Sequence, residues 1–386
     1  MRVAILTSDN RERFKDYGHQ VPYFGTAPEA LLQGCAGMRG TEYHVISCLQ
    51  RPAPAPERIA DNIWFHGVHV PKIGWMRTLY QGCIRGARRK LREIRPDIVH
   101  GQGTERDCAI SAVMSGFPNV LTIHGNMVAM AEFYRSRAGS FHWLAARLEN
   151  FALRRTAGVF CNSGYTEGRV AGRARKVWRV PNAVRRAFLD RPAAPVPEGR
   201  PVILNAGVIS GYKQQIEILG VGRRLWQRGL RFEMQFAGTF DAATNYGAAF
   251  RREMADAERG GYARYLGDLK VDDLIGVFDR ASAMVHCPAE EAFGLVVAEA
   301  LARNLKFFGS ATGGVPDIAT GVEGAELLRP GDWGGLEKAI AAWMEAGCPR
   351  PLGAAEVMRR RYDPEVIARR HLEIYREVLG ERAPAA

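Results

Sequence analysis

The sequence predicts an α/β protein made of two doubly wound, Rossmann-like domains with parallel sheets. Three observations carry this. Short apolar runs alternate with amphipathic helical stretches along the whole chain, the pattern of repeated βαβ units. The rhythm breaks once, at RPAAPVPEGRP (191–201), which is rich in Pro and Gly and has no periodicity, and then restarts. The length of 386 residues accommodates two domains at about 100–200 residues each.

The candidate strands of the first half are VAILT (3–7), YHVISC (43–48), IWFHGV (63–68), DIVH (97–100), NVLTIH (119–124), GVFCN (158–162) and VWRV (177–180). Amphipathic stretches such as LYQGCIRGARRKLREIR (79–95) lie between them. After the break come VILNAGV (202–208), a helix from about Lys213, FEMQFAG (232–238), ARYLG (263–267), AMVHC (283–287), LKFFGS (305–310) and AELL (325–328). The final PEVIARRHLEIYREVLG (364–380) has apolar residues at helical spacing and a proline in its first turn. The expected organisation is a first domain over 1–190, a linker over 191–201, a second domain over 202–363 and a C-terminal helical segment over 364–386. Ligands of open α/β sheets bind beyond the carboxyl ends of the strands, and two such domains facing each other would form a cleft there.

Composition narrows the class. Apolar content of 47 % and charged content of 24 % are those of a globular protein. No apolar run approaches the ~18 residues of a membrane span, and MRVAILTSDN reads as a first strand rather than a signal peptide. Seven cysteines without a CxxC pair argue against a disulfide framework or zinc site and point to reduced thiols in the cytoplasm. The net charge of +12 is uneven: residues 1–190 hold 28 Lys/Arg against 15 Asp/Glu, and residues 191–386 hold 25 against 26. Such a field attracts a membrane surface, an acidic substrate or nucleic acid. An Arg-rich solubilising surface is the competing reading. No basic recognition helix or aromatic strand motif points to nucleic acid.

The most informative stretch is AMVHCPAEEAFGLVVAEALA (283–302). A buried strand is stopped by Pro288, and a helix is expected from about Phe293 to Ala302. Glu291 falls in the turn before that helix and Glu299 nearly two turns inside it. Gly294 allows a ligand to approach the backbone, and the amides of Gly294 and Leu295 suit phosphate or hydroxyl oxygens. Each carboxylate could hold a vicinal diol. The alternative is a dipole-favoured Glu291 at a helix start and a surface Glu299.

The pair E-x7-E with Phe-Gly after the first Glu resembles the signature of the retaining, nucleotide-sugar-dependent glycosyltransferases of family 4, which have the two-domain GT-B fold. Residues 265–304 are similar, in order, to that family's base-binding turn, helix and E-x7-E segment. ATGGVPDI (311–318) resembles the following Gly-Gly loop, with Asp317 where Glu is usual; RVPNAV (179–184), TIHGNM (122–127) and the closing LEIYREVL resemble further family segments.

The resemblance implies that the C-terminal helix packs back on the first, acceptor-binding domain and that the second domain binds the nucleotide sugar. It implies Glu291, His124 and Lys213 as catalytic residues. Glu291 would contact the donor sugar and Glu299 the ribose, with backbone amides of Phe293, Gly294 and Leu295 on the sugar or phosphate. His124 would hydrogen-bond the sugar, and Gly25 and Thr26 would lie against the diphosphate. Gly207, with Lys213, would belong to the diphosphate loop, and Gly267 and Leu269 to the base-binding turn. Strand-end packing for His124 and an ordinary Thr-capped helix entry for Gly25–Thr26 are the structural alternatives.

Two departures stand out. Val208 occupies the place of an Arg that, with the Lys at 213, holds the diphosphate in the family. Asn304 and Lys306 stand where Gly and Pro are usual; Asn304 can still take the left-handed helix-stop conformation. The resemblance further implies metal-independent, same-face transfer, with no cofactor beyond the donor, such as a UDP- or GDP-sugar, and a role in polysaccharide or glycolipid synthesis. Positioning and electrostatics would supply the catalysis. Basic segments at 77–95 and 132–155 suggest a carbohydrate or lipid-linked acceptor and peripheral contact with an anionic inner membrane face. The rival readings are a sugar-nucleotide epimerase on the same architecture and, because of Val208, a binding or scaffold protein without transfer.

Overall fold

The computed structural model describes all residues except 193–194, 196–198 and 381–386, so parts of the expected linker and of the C-terminal segment lie outside the described residues. The chain forms two compact units: Met1–Arg185 together with the segment from Pro364, and Arg186–Asp363. The division falls at Arg185–Arg186 rather than at 190–191. The reason is local: the short helix Arg186–Asp190 packs with the second unit, its Phe188 ring lying edge-on to Phe278 at 5.3 Å.

The first unit holds eight strands: β1 (Arg2–Leu6), β2 (Glu42–Leu49), β3 (Arg58–Ala60), β4 (Ile63–His69), β5 (Ile98–Gln102), β6 (Asn119–Ile123), β7 (Gly158–Cys161) and β8 (Val177–Arg179). Their order is β3-β4-β2-β1-β5-β6-β7-β8, parallel except for the β3/β4 pair. The central strands are buried on both faces, as helix-covered parallel sheets require. β3 has no counterpart in the sequence reading, because three residues on a sheet edge carry too little alternation to register.

The C-terminal helix Pro364–Leu379 is the continuation of this first unit. It lies against the helix Thr26–Cys35, and the approach is close: a Cβ on Gly34 would sit 1.9 Å from the Pro364 carbonyl oxygen. His371 stacks on Phe160 at 4.7 Å, and the Tyr375 hydroxyl meets His100 Nδ1 at 2.6 Å. A buried polar chain thus runs from the last helix to the centre of the sheet.

The second unit holds β9 (Val202–Ala206), β10 (Glu233–Ala237), β11 (Ala263–Gly267), β12 (Ala283–His286), β13 (Lys306–Ser310) and β14 (Ala325–Leu328). The order β11-β10-β9-β12-β13-β14 is wholly parallel. The chain starts at β9, winds outward to β11, then returns to β12 on the other side of β9. The sheet order therefore reverses between β9 and β12, and loops leaving those two strands diverge to opposite faces, opening a crevice at their carboxyl ends. Asn304 does adopt the left-handed conformation, with φ 52°, and Lys306 pairs with Glu326 at 2.8 Å.

Candidate active site

The loops that leave β9 and β12 at this reversal carry the expected residues. After β9 the chain runs through Gly207, Val208 and Lys213 into the helix Gln215–Gln227. That helix begins two residues later than expected, and buried Gln215 explains the loop shape: its Oε1 accepts from the Ser210 amide at 3.2 Å and its Nε2 donates to the Val208 carbonyl at 3.1 Å. After β12 the loop 287–294 leads to the helix Leu295–Ala302. The two loops are stitched together where the Ala289 amide donates to the Tyr212 carbonyl at 2.7 Å.

This brings Lys213 and Glu291 into contact. Lys213 Nζ donates to Glu291 Oε2 at 2.5 Å, and His286 Nε2, at the end of β12, meets the same oxygen at 2.8 Å. Both contacts fall on Oε2; Oε1 has no partner among the described residues. The side chains are recessed yet accessible, Lys213 at 15 % and Glu291 at 13 % exposure, whereas His286 is buried. Burial by itself would raise the Glu291 carboxyl, but the Lys213 charge and the His286 hydrogen bond overcome it and hold the group ionised well below the usual carboxylate range. Burial opposes the Lys213 charge too, and Glu291 outweighs it and raises the ammonium. Burial lowers His286, so it stands neutral with its Nε2–H aimed at the carboxylate.

The residues beyond Glu291 complete the crevice wall. The helix starts at Leu295, not Phe293, because Gly294 takes φ 94° as its N-cap, a conformation costly for any residue with a Cβ. Phe293 is therefore outside the helix, its ring buried edge-on against Tyr362 at 5.7 Å. Val297 donates its amide to the Gly294 carbonyl at 2.8 Å, so the Leu295 and Val296 amides are the ones that the helix itself leaves without an acceptor. Glu299, only 3 % exposed, is not a surface residue. The Gly-Gly loop after β13 closes the third side, with the Gly314 amide donating to the Glu291 carbonyl at 3.0 Å. Gly267 ends β11 with φ 75°, and Leu269 follows it ahead of the helix Val271–Arg280. They sit beyond the edge strand of the same sheet. Val208 is 39 % exposed on the β9 loop, so the place of the expected Arg is open to solvent.

His124, Gly25 and Thr26 belong to the first unit. His124 follows β6, and its Nε2 donates to Gln102 Oε1 at 2.8 Å, leaving Nδ1 as a buried acceptor without a partner among the described residues. Burial pushes the ring down to about 4, so it is neutral at ordinary pH. The next residue is held by Glu105, whose Oε1 accepts from the Gly125 amide at 2.6 Å; burial pushes that carboxyl up to about 7. Gly25 is the N-cap of the helix Thr26–Cys35, so Thr26 is its first residue and not its cap. Ala27 and Leu31 of this helix share a small cavity with His124 and Gln102, which places the Gly25–Thr26 helix start and the histidine turn on one side of the sheet.

Residue reasoning missed Gln102, Glu105 and His286. His286 was readable only as the last residue of a buried strand, and Gln102 and Glu105 lie one strand away from the histidine they support.

Family comparison agrees with this architecture. Residues 29–188 match the model of Glycosyltransferase Family 4, and residues 188–358 match that of Glycosyl transferases group 1. The chain is a family 4-type glycosyltransferase with the GT-B fold. No curated protein sequence matches it significantly. Solved structures share its fold at low identity. Sucrose-phosphate synthase from Thermosynechococcus elongatus aligns at TM-score 0.74 and 18 % identity, covering 98 % of this glycosyltransferase and 99 % of the synthase. Anabaena HepE, solved with UDP-glucose, aligns at TM-score 0.71 and 15 % identity over 98 % and 100 % of the two chains. The lipopolysaccharide outer core galactosyltransferase WaaB aligns at TM-score 0.68 and 13 % identity over 98 % and 100 %.

Proposed function

We propose that this glycosyltransferase moves a sugar from a nucleoside-diphosphate sugar to a hydroxyl acceptor with retention of anomeric configuration and without a metal ion. The observation that carries the reading is the Lys213–Glu291–His286 constellation at the β9/β12 reversal, beside the amides that follow Gly294. A cation and a helix start together suit a diphosphate. A carboxylate with one oxygen fixed and Oε1 left over suits a sugar hydroxyl. Buried Glu299, eight residues on, would hold the ribose, and the turn at Gly267 and Leu269 the base. That HepE was solved with UDP-glucose supports a donor of this class.

In the proposed reaction the acceptor oxygen attacks the anomeric carbon on the face from which the diphosphate departs. The carbon–oxygen bond to phosphate breaks as the new one forms, and the acceptor proton passes to a phosphate oxygen. Lys213 takes up the charge that develops on the leaving group. His124, a neutral ring with a bare Nδ1, would accept from a sugar hydroxyl, and Gly25 and Thr26 would border the diphosphate. The acceptor is a carbohydrate or lipid-linked glycan in polysaccharide or glycolipid synthesis, reached from the cytoplasmic side.

A second reading, nucleotide-sugar binding without transfer, is favoured by one observation, the open position of Val208. Thermal unfolding with UDP, GDP, ADP, CDP and dTDP, each with and without magnesium, tests the donor site first. A ligand bound only by the folded state stabilises it by about 2.7 kcal/mol at one hundred times its dissociation constant. A magnesium-independent shift with one nucleotide supports the site and identifies the donor class; no shift with any of the five sinks it. The anomeric configuration of the product, read by NMR, then decides retention, and a shift without turnover on any hydroxyl acceptor favours the binding-only reading.

A further inference from the structure

The first unit carries a feature that donor chemistry does not use. The helices Met127–Phe133 and Phe141–Leu153 pack side by side, and a groove of about 670 Å³ runs along their outer seam. Four arginines line it: Arg135, Arg147, Arg154 and Arg155. Two aromatic rings form its floor, with the Arg147 guanidinium 4.5 Å from the Trp143 ring centre and that of Arg155 3.5 Å from Phe151. None of the four arginines has a carboxylate partner among the described residues. The one acid on the wall, Glu132, is already taken by Arg169 at 2.6 Å. The groove thus concentrates positive charge that the protein leaves uncompensated.

Beside it sits exposed apolar surface. Phe133 ends one helix and Phe141 begins the other, so both aromatic side chains stand exposed at the same end of the hairpin, with Tyr134 between them. The turn 72–79 joins this surface: its Met76 packs against the hairpin, while Ile73, 74 % exposed, and Leu79 face outward. The amphipathic helix Gln81–Ile94 is not part of it, because Cys83, Ile84, Ala87, Leu91 and Ile94 spend its apolar face on the core.

We infer that this hairpin is a docking surface for an anionic bilayer, with lipid phosphates in the arginine groove and the aromatic tip at the headgroup level. The charge complementarity is direct: planar guanidiniums pair with phosphate oxygens, and aromatic side chains favour the interface where one end is apolar and the other wet. This surface is independent of the donor-site reading, and its test needs no turnover.

The test is flotation of the full chain with vesicles of phosphatidylcholine alone and of phosphatidylcholine with phosphatidylglycerol, at low and high salt. Binding to the anionic vesicles at low salt, weakened by salt and absent on the neutral ones, is expected. The triple variant Arg147→Gln, Arg154→Gln, Arg155→Gln should lose about tenfold or more of that partitioning. Phe133→Ser with Phe141→Ser should leave binding that high salt abolishes entirely. Neutralising Arg252, Arg259 and Arg264 of the second unit should change nothing. Folding of each variant is checked by its unfolding midpoint. Equal binding to neutral and anionic vesicles, no binding to either, or undiminished binding by a folded triple variant overturns the inference.

Discussion

At the scale of single residues, the contact pattern on Glu291 is the most consequential feature of the second unit. Lys213 and His286 converge on one carboxylate oxygen, so the orientation of the other is set by two donors from two strands. Glu291→Gln should lower transfer by about 100-fold or more, since the amide cannot keep the charge that Lys213 and His286 both address. His286→Ala should reduce kcat by about tenfold with little change in KM, because a positioning contact misplaced by a fraction of an ångström acts on the reacting geometry. His286→Gln, which offers an amide donor at a similar reach, should recover most of the loss; failure to recover it would show that His286 only fills space. Val208→Arg would put a guanidinium at an exposed position of the loop that also carries Lys213. A charge-assisted phosphate contact is worth about 1.5–3 kcal/mol, so nucleotide-diphosphate affinity by calorimetry should rise tenfold or more. An unchanged affinity would mean that the diphosphate does not pass Val208.

At the scale of elements, two glycines set how loops and helices meet. Gly294 is left-handed, and a Cβ there would lie 3.3 Å from Val315 and 3.5 Å from the Glu291 side chain. Gly294→Ala should therefore cost about 1–2 kcal/mol in stability and more in activity than in stability, read by unfolding and turnover side by side. Gly34 works by absence of bulk. Gly34→Ala would push the Pro364 backbone away and undock the start of the last helix, so the unfolding midpoint should fall, by about 1–3 kcal/mol in free energy. An unaltered midpoint would show that the helix Pro364–Leu379 contributes little to the first unit. Of the fourteen strands among the described residues, thirteen stand where apolar runs placed them; the central ones, buried on both faces, write themselves as continuous apolar segments. The helix start at Thr26 follows Gly25 as expected, whereas two others were less legible. Gly294 and Gln214 fixed those two through left-handed backbone conformations, which residue type signals only loosely.

At the scale of the whole molecule, the first unit buries a set of titratable groups. His124 and His371 are each pushed by burial down to about 4, and burial also holds His100 well below its usual value. The unfolded value is about 6.5, so the unfolded chain binds more protons than the folded one between about pH 6.5 and 4. Each histidine therefore withdraws stability as pH falls through that window. Glu105 acts the other way: held up to about 7 by burial, it binds its proton in the folded state first and withdraws stability as pH rises towards 7. Histidine ring signals followed by NMR should show His124 and His371 still neutral at pH 5.5. A midpoint near 6.5 would mean that these rings are solvated.

The order of strands and helices, including the helix that carries Glu299, was written in the sequence, because burial on a sheet and helical spacing leave periodic traces in residue type. The reversal between β9 and β12 was not, since strand order depends on which side of β9 each crossover passes. That choice alone puts Lys213 against Glu291 across 78 residues of chain. Likewise Gln102 and Glu105 meet the histidine turn, and Met76 the helical hairpin, through neighbours that only the packed sheet supplies. Contacts between distant segments carry no local pattern: the sequence names the participants, and the tertiary structure decides which of them meet.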